Sequence, residues 1–293
     1  MTTSRGPLVL GGVSWDWSRP YLLGILNLTP DSFSDGGQWL DPARAVERAL
    51  RMVDEGADAL DLGGESTRPG ADPVSEEEEL RRVVPVMEAL ARRVGVPLSV
   101  DTTKARVARE ALAAGATLLN DVGTGDPPAV LGAEAARAGA AYIVMHSRQT
   151  PATMAQAARY TDLHAEVTAE LGQRARDVVG AGVSPGRVLV DPGLGFAKTA
   201  AQSLALLADL APLRALGYPV LVGPSRKSFI VSEAASCGGL WPRDASPADA
   251  RLGGTAAAVV VAVMQGAEVL RVHDVAVMRQ AARLAQALRS PNG

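Results

Sequence analysis

The sequence predicts a closed (β/α)₈ TIM barrel with a short N-terminal hairpin. After residue 20 of the 293-residue chain, short apolar runs alternate eight times with helical patterns, and this count and length are typical of such a barrel. Polar residues follow the apolar runs at their carboxyl ends, which is where barrel enzymes place their functional groups. A doubly wound open sheet is the alternative, but open sheets seldom need eight strand-helix units.

The units of the predicted barrel follow one another in regular order. The first strand is predicted at residues 21–26 and the first helix at 43–54, where Asp41 and Pro42 form a start signal. Further strands are predicted at 59–62, 98–100, 117–119, 141–145, 187–190, 219–222 and 268–272, and further helices at 75–93, 104–114, 128–138, 161–179, 203–216, 253–264 and 276–288. No interdomain linker interrupts this order, so a single domain is expected over residues 1–293.

Two segments lie outside the repeat. Residues 8–19 are predicted to form a hairpin around Gly11 and Gly12, within an N-terminal extension of residues 1–20. We expect this hairpin to close the base of the barrel. Residues 232–252, which contain adjacent glycines and two prolines, predict an excursion within the seventh unit.

Composition narrows the class of partner. The net charge of −3 predicts no general attraction to nucleic acid or to an anionic membrane, so any anion site has to be local. Cys237 is the single cysteine, which excludes an internal disulfide and a cysteine-rich zinc site. The N-terminus lacks the apolar core of a signal peptide, and the apolar run at 256–264 is too short to cross a bilayer. We therefore expect a cytoplasmic protein with small-molecule partners.

Residue types that are rare in this chain cluster just past the predicted strands. The chain has three histidines, and only three lysines among its 29 Lys and Arg residues. A lysine that persists in an arginine-rich chain indicates a need for a compact charge on a flexible stem. The residues and segments predicted to meet at the carboxyl end of the barrel are Asn27, 63–71, Asp101, Asn120, Asp121, His146, Asp191, 225–227, Arg271, His273 and Asp274.

The segment DPGLGFAKT at 191–199 resembles two nucleotide-binding motifs without matching either. Lys198 stands where a dinucleotide motif has its last glycine, and no glycine precedes Lys198 as a phosphate-binding loop requires. The sequence also lacks a Ser-His-Asp elbow, an HExxH zinc helix and a reactive cysteine setting. The polar residues therefore favour binding of a heterocycle and an anion over nucleophilic catalysis.

Seven ordered segments resemble the successive motifs of the dihydropteroate synthase family of pterin-binding barrels. They are GILNLTPDSFSDGG at 24–37, GGESTRPGA at 63–71, SVDTTK at 99–104, NDV at 120–122, DPGLGFAKT at 191–199, GPSRKSF at 223–229 and RVHDV at 271–275. The resemblance implies a transferase of folate biosynthesis that condenses 6-hydroxymethyl-7,8-dihydropterin diphosphate with para-aminobenzoate to give 7,8-dihydropteroate and pyrophosphate. It also implies a Mg²⁺ cofactor and a homodimer. One departure from the family pattern, Ser147 and Gln149, leaves the contact at that edge open.

The resemblance also implies a role for each matching residue. Those that would bind the pterin are Asp101, Asn120, Met145, Asp191, Phe196 and Lys227. Those that would bind the diphosphate are Asn27, Thr67, Arg68, Arg271 and His273, with Mg²⁺ held at Asn27. Those that would bind the aminobenzoate are Phe33, Thr67, Pro69 and Ser225. The implied catalytic residues are Asp35, Lys227, Arg271 and His273, with Asp35 stabilising a dissociated pterin cation.

Chemistry agrees with these roles. A pterin presents an amide-like edge and an amino group, with which carboxylate and amide side chains can pair. A diphosphate leaving group needs positive charge nearby to stabilise its departure. No general base is predicted, because an aromatic amine is weakly basic and already nucleophilic near neutral pH. Catalysis then consists of leaving-group stabilisation and positioning.

Two other functions compete with this one. A methyltetrahydrofolate-corrinoid methyltransferase shares the pterin-binding barrel but has no use for the diphosphate-binding segment STRPG at 66–70. A noncatalytic pterin-binding paralogue should have lost polar residues from the first segment, at 24–37. Both alternatives predict losses that the sequence does not show. His146 is expected either to pack at the rim or to face the ligand, and His164 to be structural.

Lys227→Arg tests whether the site needs a compact ammonium group. We expect the variant to lose most of its activity while its thermal stability stays nearly unchanged, because a planar guanidinium cannot replace a point charge on a flexible stem. The measurement is pyrophosphate release, beside a thermal unfolding scan. Full activity in the variant would show that only positive charge matters at this position.

Overall fold

Parallel strands surround the core of the protein, and helices pack outside them. The computed structural model describes residues 5–29, 41–66, 71–149, 153–231 and 251–289. The strands in these ranges are β1 (Leu8–Leu10), β2 (Val13–Trp15), β3 (Tyr21–Asn27), β4 (Ala59–Gly63), β5 (Leu98–Asp101), β6 (Leu118–Asp121), β7 (Ala141–Met145), β8 (Val188–Asp191), β9 (Leu221–Val222) and β10 (Val269–Val272). The α-helices are α1 (Pro42–Asp54), α2 (Glu76–Ala91), α3 (Ala105–Ala113), α4 (Pro128–Ala138), α5 (Leu163–Gly180), α6 (Ala200–Ala208), α7 (Ala211–Arg214), α8 (Leu252–Met264) and α9 (Val275–Arg289).

Strands β3 to β10 form one eight-stranded parallel sheet whose two ends meet. Neighbouring strands follow the order β8-β7-β6-β5-β4-β3-β10-β9. A parallel bridge between Val190 and Val220 joins β8 to the residue before β9, which closes the ring. Strands β1 and β2 pair antiparallel as a separate hairpin. The predicted barrel with its N-terminal hairpin is therefore confirmed.

The register of the sheet brings the predicted strand-end residues to one level. Asn27 is aligned with Gly63, Gly63 with Asp101, and Asp101 with Asn120 across three consecutive strand pairs. Further round the ring, Met145 is aligned with Asp191. Because the carboxyl ends of parallel strands meet at the same edge, this register places the polar side chains around one opening.

The predicted helix at 203–216 is wrong, because two short helices, α6 and α7, stand in its place. Asp209 between them adopts an extended conformation, with φ −141° and ψ 99°. Its side chain accepts a hydrogen bond from the backbone N–H of Ala211, which starts the second helix. Pro212 lies in the first turn of α7, where a helix tolerates proline. In the interior of one continuous helix over 203–216, the same proline would break the helix.

The hairpin closes the amino-terminal end of the barrel, as predicted. Trp15 is buried and stacks on Tyr21, with ring centroids 4.6 Å apart. Leu8 and Leu10 belong to the same apolar cluster, together with Ala59, Leu118, Ala141, Leu221 and Val269, which begin their barrel strands. This cluster is separate from the larger core between the sheet and the helices. The carboxyl end of the barrel is thus the end left open for a site.

In the described ranges, no helix combines the length and the apolar character that a membrane span requires.

Trp15→Ala measures how much the hairpin stabilises the barrel. We expect the variant to lose about 3–5 kcal/mol of unfolding free energy, because the change leaves a cavity at a fully packed site. Val9→Ala on the same hairpin is the matched control, since Val9 is 44% exposed, and it should change the stability by less than about 0.5 kcal/mol. Equal losses in denaturant unfolding of the two variants would contradict a plug role for Trp15.

Candidate active site

A cleft of about 460 Å³ opens at the carboxyl ends of the barrel strands. It is lined by every described residue to which the family resemblance gives a role: Asn27, Asp101, Asn120, Met145, Asp191, Phe196, Ser225, Lys227, Arg271 and His273. Asp121, His146 and Asp274, which were also predicted at this end of the barrel, do not line it. The other predicted site residues lie outside the described ranges: Phe33, Asp35, Thr67, Arg68 and Pro69. The structure therefore brings together predicted residues from six different strand ends and from the segment after β9.

A network of charged and amide side chains forms the base of the cleft. Arg271 on β10 donates from Nε to Asp61 Oδ2 at 2.6 Å and from Nη2 to Asp101 Oδ2 at 2.5 Å. Asn120 donates from Nδ2 to the same Asp61 oxygen at 2.9 Å. Asp61 is fully buried, and Asp101 is 8% exposed. Four strands thus contribute one side chain each to a single network.

Asp61 is the residue of this network that the sequence did not predict. It lies inside strand β4, two residues before its end, whereas Asp101 ends its strand and Asn120 lies one residue before the end of its own. A signal was present, because a lone carboxylate inside the apolar run ALDL has to be buried and paired. Glu65 was missed as a single residue too, although it lines the cleft within the predicted segment 63–71.

Burial controls the ionisation of the groups at the base. It raises the pKa of Asp101 to about 7, although Arg271 acts in the opposite direction, and the negative charge of Asp61 raises it further. Burial also raises the pKa of Asp191, against a backbone hydrogen bond from Gly193. It lowers the pKa of Lys227 to about 8, helped by the positive charge of Arg271. Arg271 is also buried, which lowers its pKa, but Asp61 and Asp101 more than offset this effect.

Asp191, Phe196 and Lys227 meet on the side of the cleft formed by β8 and the segments after β8 and β9. Asp191 Oδ1 accepts the backbone N–H of Gly193 at 2.7 Å, which fixes the start of the segment that carries Phe196. The Lys227 ammonium lies 3.9 Å from the centroid of the Phe196 ring, a cation–π contact. Phe196 and Met145 belong to one small apolar cluster with Val122. A polar base and an apolar wall therefore adjoin in this cleft.

His273 lies at the edge of the cleft beside Ser225 and Asn27. The Ser225 hydroxyl lies 3.0 Å from His273 Nδ1 and accepts the His273 backbone N–H at 3.2 Å. Asn27 Nδ2 lies 3.5 Å from His273 Nε2. Arg48 on α1 donates to the His273 carbonyl at 3.1 Å. The imidazole is thus contacted at both ring nitrogens, by Ser225 and by Asn27, while the His273 backbone is held at its N–H and its carbonyl.

The two other histidines lie outside the cleft. His146 follows β7 and is 1% exposed, so it packs behind the rim instead of facing a ligand. Lys198 is also buried and contacts His146 without lining the cleft. His164 lies in the first turn of α5 and does not line the cleft.

Comparison with known proteins assigns the family. The chain matches the pterin binding enzyme family over residues 23–273. A dihydropteroate synthase from Synechocystis sp. is 45% identical over 284 residues, which cover 96% of this chain and 95% of the relative. The Xanthomonas albilineans dihydropteroate synthase solved with 4-aminobenzoic acid superposes with a TM-score of 0.87 at 42% identity, covering 98% of this chain and 99% of that one. The chain belongs to the dihydropteroate synthase family.

Membership in the dihydropteroate synthase family confirms three predictions from the sequence: the family, the barrel fold and a transferase activity. The Xanthomonas albilineans enzyme has also been solved in complex with 7,8-dihydropteroate, and that structure superposes with a TM-score of 0.83 at 40% identity, covering 97% of this chain and 99% of that one. Small-molecule substrates are accordingly confirmed as the class of partner. The roles of individual residues stay predictions.

Asp61→Asn tests whether Asp61, which the sequence did not predict, acts electrostatically on Asp101 in the cleft. We expect the pKa of Asp101 to fall from about 7 toward its ordinary value of 3.8, because the variant removes a neighbouring negative charge and leaves Arg271 to Asp101 alone. The measurement is a carboxyl-carbon NMR titration of the free protein.

Asp58→Asn is the matched control, because Asp58 precedes the same strand and forms an ion pair with Arg19 at 2.6 Å, at the opposite end of the barrel. We expect this variant to leave the pKa of Asp101 unchanged. An unchanged pKa of Asp101 in Asp61→Asn, or the same fall in both variants, would show that Asp61 does not act on Asp101.

Proposed function

We propose that the cleft joins 6-hydroxymethyl-7,8-dihydropterin diphosphate to para-aminobenzoate, giving 7,8-dihydropteroate and pyrophosphate. The observation that carries the proposal is the meeting of two carboxylates, an amide and a lysine at the base of the cleft: Asp101, Asn120, Asp191 and Lys227. The Xanthomonas albilineans enzyme supports it, because that relative was solved in one structure with 4-aminobenzoic acid and in another with 7,8-dihydropteroate.

The base of the cleft matches the polar edge of a pterin. Asp101 and Asp191 offer carboxylate oxygens to ring N–H and amino groups, and they are 8% and 5% exposed, so bulk water competes little for these contacts. Asn120 donates an amide N–H to Asp61, so its side-chain carbonyl oxygen is the group that can accept from a ligand. Lys227 supplies a donor beside the face of Phe196. The ring would therefore bind edge-on to the base and with one face against the apolar wall.

Asn27 fits a magnesium ion that arrives with the diphosphate. Among the described residues, no group of three or more His, Cys, Asp or Glu side chains could hold a metal by itself. Mg²⁺ usually takes only one or two protein oxygens and completes its shell with water and substrate phosphates. The amide of Asn27 turns its nitrogen toward His273, so its oxygen can serve as that protein ligand. Bound there, Mg²⁺ would neutralise charge on the leaving group.

The chemical step needs positioning and leaving-group stabilisation. The bond from the pterin methylene carbon to the diphosphate oxygen breaks, and its electron pair leaves with pyrophosphate. The amine nitrogen of aminobenzoate then forms a bond to the methylene carbon of the pterin cation, and the protonated secondary amine that results loses a proton to water. Arg271 lies on β10 and His273 directly follows this strand, and both line the cleft, so they could present cationic and N–H groups to the departing diphosphate.

Other parts of the proposal rest on the family resemblance alone. The roles predicted for Phe33, Asp35, Thr67, Arg68 and Pro69 fall outside the described residues and stay predictions. The cytoplasmic location also stays a prediction. The homodimer also stays a prediction. Exposed apolar side chains on the adjacent helices α8 and α9 support it, namely Val261, Met264, Val277, Leu284 and Leu288.

The direct test of the proposed function is pyrophosphate release from the purified protein. We expect release to require the dihydropterin diphosphate, para-aminobenzoate and Mg²⁺ together, and to stop when a chelator removes the metal. Omission of para-aminobenzoate is the control for simple hydrolysis of the diphosphate. Release that proceeds equally without para-aminobenzoate, or no release with all components present, would contradict the proposal.

Asp191→Asn tests the assignment of the pterin subsite. The variant keeps the shape of the side chain but loses an anionic acceptor, so we expect it to weaken pterin binding by about 1–3 kcal/mol. Calorimetry with the pterin substrate measures the affinity, and the affinity for aminobenzoate is the internal control. Unchanged pterin affinity would remove Asp191 from the subsite.

A further inference from the structure

Lys198 is a buried lysine that the proposed reaction does not use. It is 8% exposed, and its ammonium group is surrounded by acceptors from two segments of the chain. Nζ lies 2.9 Å from His146 Nδ1 and 2.9 Å from the carbonyl oxygen of Phe196. It also lies 3.1 Å from the carbonyl oxygen of Gly193 and 3.4 Å from that of His146. Burial lowers the pKa of Lys198 to about 7. A neutral amine has only two N–H groups for these four acceptors, so the contacts favour the protonated form.

His146 is held so that its Nδ1 accepts from this lysine. Burial, together with the positive charge of Lys198, lowers the pKa of His146 to about 3, so the imidazole is neutral. Its other nitrogen, Nε2, lies 3.0 Å from Glu170 Oε2 and can donate there. Arg148 in turn pairs with Glu170, and its guanidinium lies 4.1 Å from the centroid of the Tyr160 ring. The lysine is therefore anchored to α5 through His146.

The segment wrapped around Lys198 is the one that carries the apolar wall of the cleft. It begins at Asp191 and passes against the end of β7 so closely that a Cβ at Gly193 would lie 2.1 Å from the His146 carbonyl oxygen. Ala197 has a φ of +50°, a conformation that a non-glycine residue rarely adopts without support. The Tyr160 hydroxyl donates to the Ala197 carbonyl at 3.0 Å. Polar contacts from behind therefore hold a strained segment in place.

We propose that Lys198 is a positioning residue for the pterin subsite, whose ammonium group, held by His146, fixes segment 192–198 and so sets the Phe196 ring against Lys227. This inference rests on the proposed function, because it assumes that Phe196 forms one wall of the pterin subsite. Lys198 binds the carbonyl groups on both sides of the turn, at Gly193 and at Phe196 itself. Its loss would free the backbone that orients the ring, while the cleft base at Asp101 and Arg271 would keep its own contacts.

The expected effect is selective for one substrate. Lys198→Met keeps an unbranched side chain of similar volume, one atom shorter, and removes the ammonium group. We expect the KM for the pterin diphosphate to rise about tenfold, because small displacements of a positioning group are costly. The KM for aminobenzoate should stay within about twofold, and kcat within about threefold, since the groups that stabilise the leaving group are untouched.

A double-mutant cycle tests the route of the effect. If Lys198 acts through Phe196, then Lys198→Met should weaken pterin binding much less in a Phe196→Leu background than in the wild type, because the two residues serve one contact. Affinity is measured by calorimetry as well as by kinetics. A wild type that binds pterin but releases no pyrophosphate would sink the proposed function and leave this comparison intact.

Two further variants keep the test decisive. Tyr142→Phe removes a buried hydrogen bond of 2.8 Å to Asp121, outside the cleft, and controls for general destabilisation. Tyr160→Phe removes only the hydroxyl that holds Ala197, and we expect it to raise the pterin KM about threefold even if Lys198→Met does not fold. Three results would overturn the inference. The first is a Lys198→Met variant that loses thermal stability as Tyr142→Phe does but keeps its pterin KM. The others are independent losses of pterin affinity in the double-mutant cycle and an unchanged pterin KM in Tyr160→Phe.

Discussion

The guanidinium of Arg271 lies between two carboxylates inside the barrel, and the site depends on this arrangement. Asp61 and Asp101 accept from it at 2.6 and 2.5 Å, and Asp61 also accepts from Asn120. Removing one partner of a buried ion pair costs about 3–5 kcal/mol, whereas replacing the whole set with apolar residues is often neutral for stability. We therefore attribute the arrangement to the proposed function, because it fixes the rotamers of side chains that line the cleft.

The barrel makes this network possible by bringing distant residues to one level. Asp61, Asp101, Asn120 and Arg271 come from four strands, and the parallel register aligns their strand ends. The hairpin with Trp15 covers the opposite end, so the buried charges have water on one side only. The same geometry places a second layer behind the cleft, where Lys198 and His146 support the segment that carries Phe196. The side chains that line the cleft thus lie in front of residues that hold them in place.

The sequence predicted the barrel and most of the cleft because both follow a local rule. An apolar run that ends at a polar residue marks the end of a strand, and Asn27, Asp101 and Asp191 all obey it. Asp61 was not predicted because it lies inside its strand, where only the packing of the barrel shows that it contacts Arg271. The burial of Lys198 was equally unpredictable, since its acceptors come from the end of β7 as well as from its own segment. The prediction of a single helix at 203–216 was wrong for a local reason, because the side chain of Asp209 accepts a hydrogen bond that starts a new helix.

The most direct test of the central claim is a crystal structure of the protein with 7,8-dihydropteroate bound. The account predicts that the pterin ring lies at the base of the cleft, within hydrogen-bonding distance of Asp101, Asn120 and Asp191, with one face against Phe196. It further predicts that Arg271 keeps both carboxylate partners when the ligand is bound. A ligand bound outside the cleft, or a pterin whose polar edge points away from these three side chains, would contradict the account.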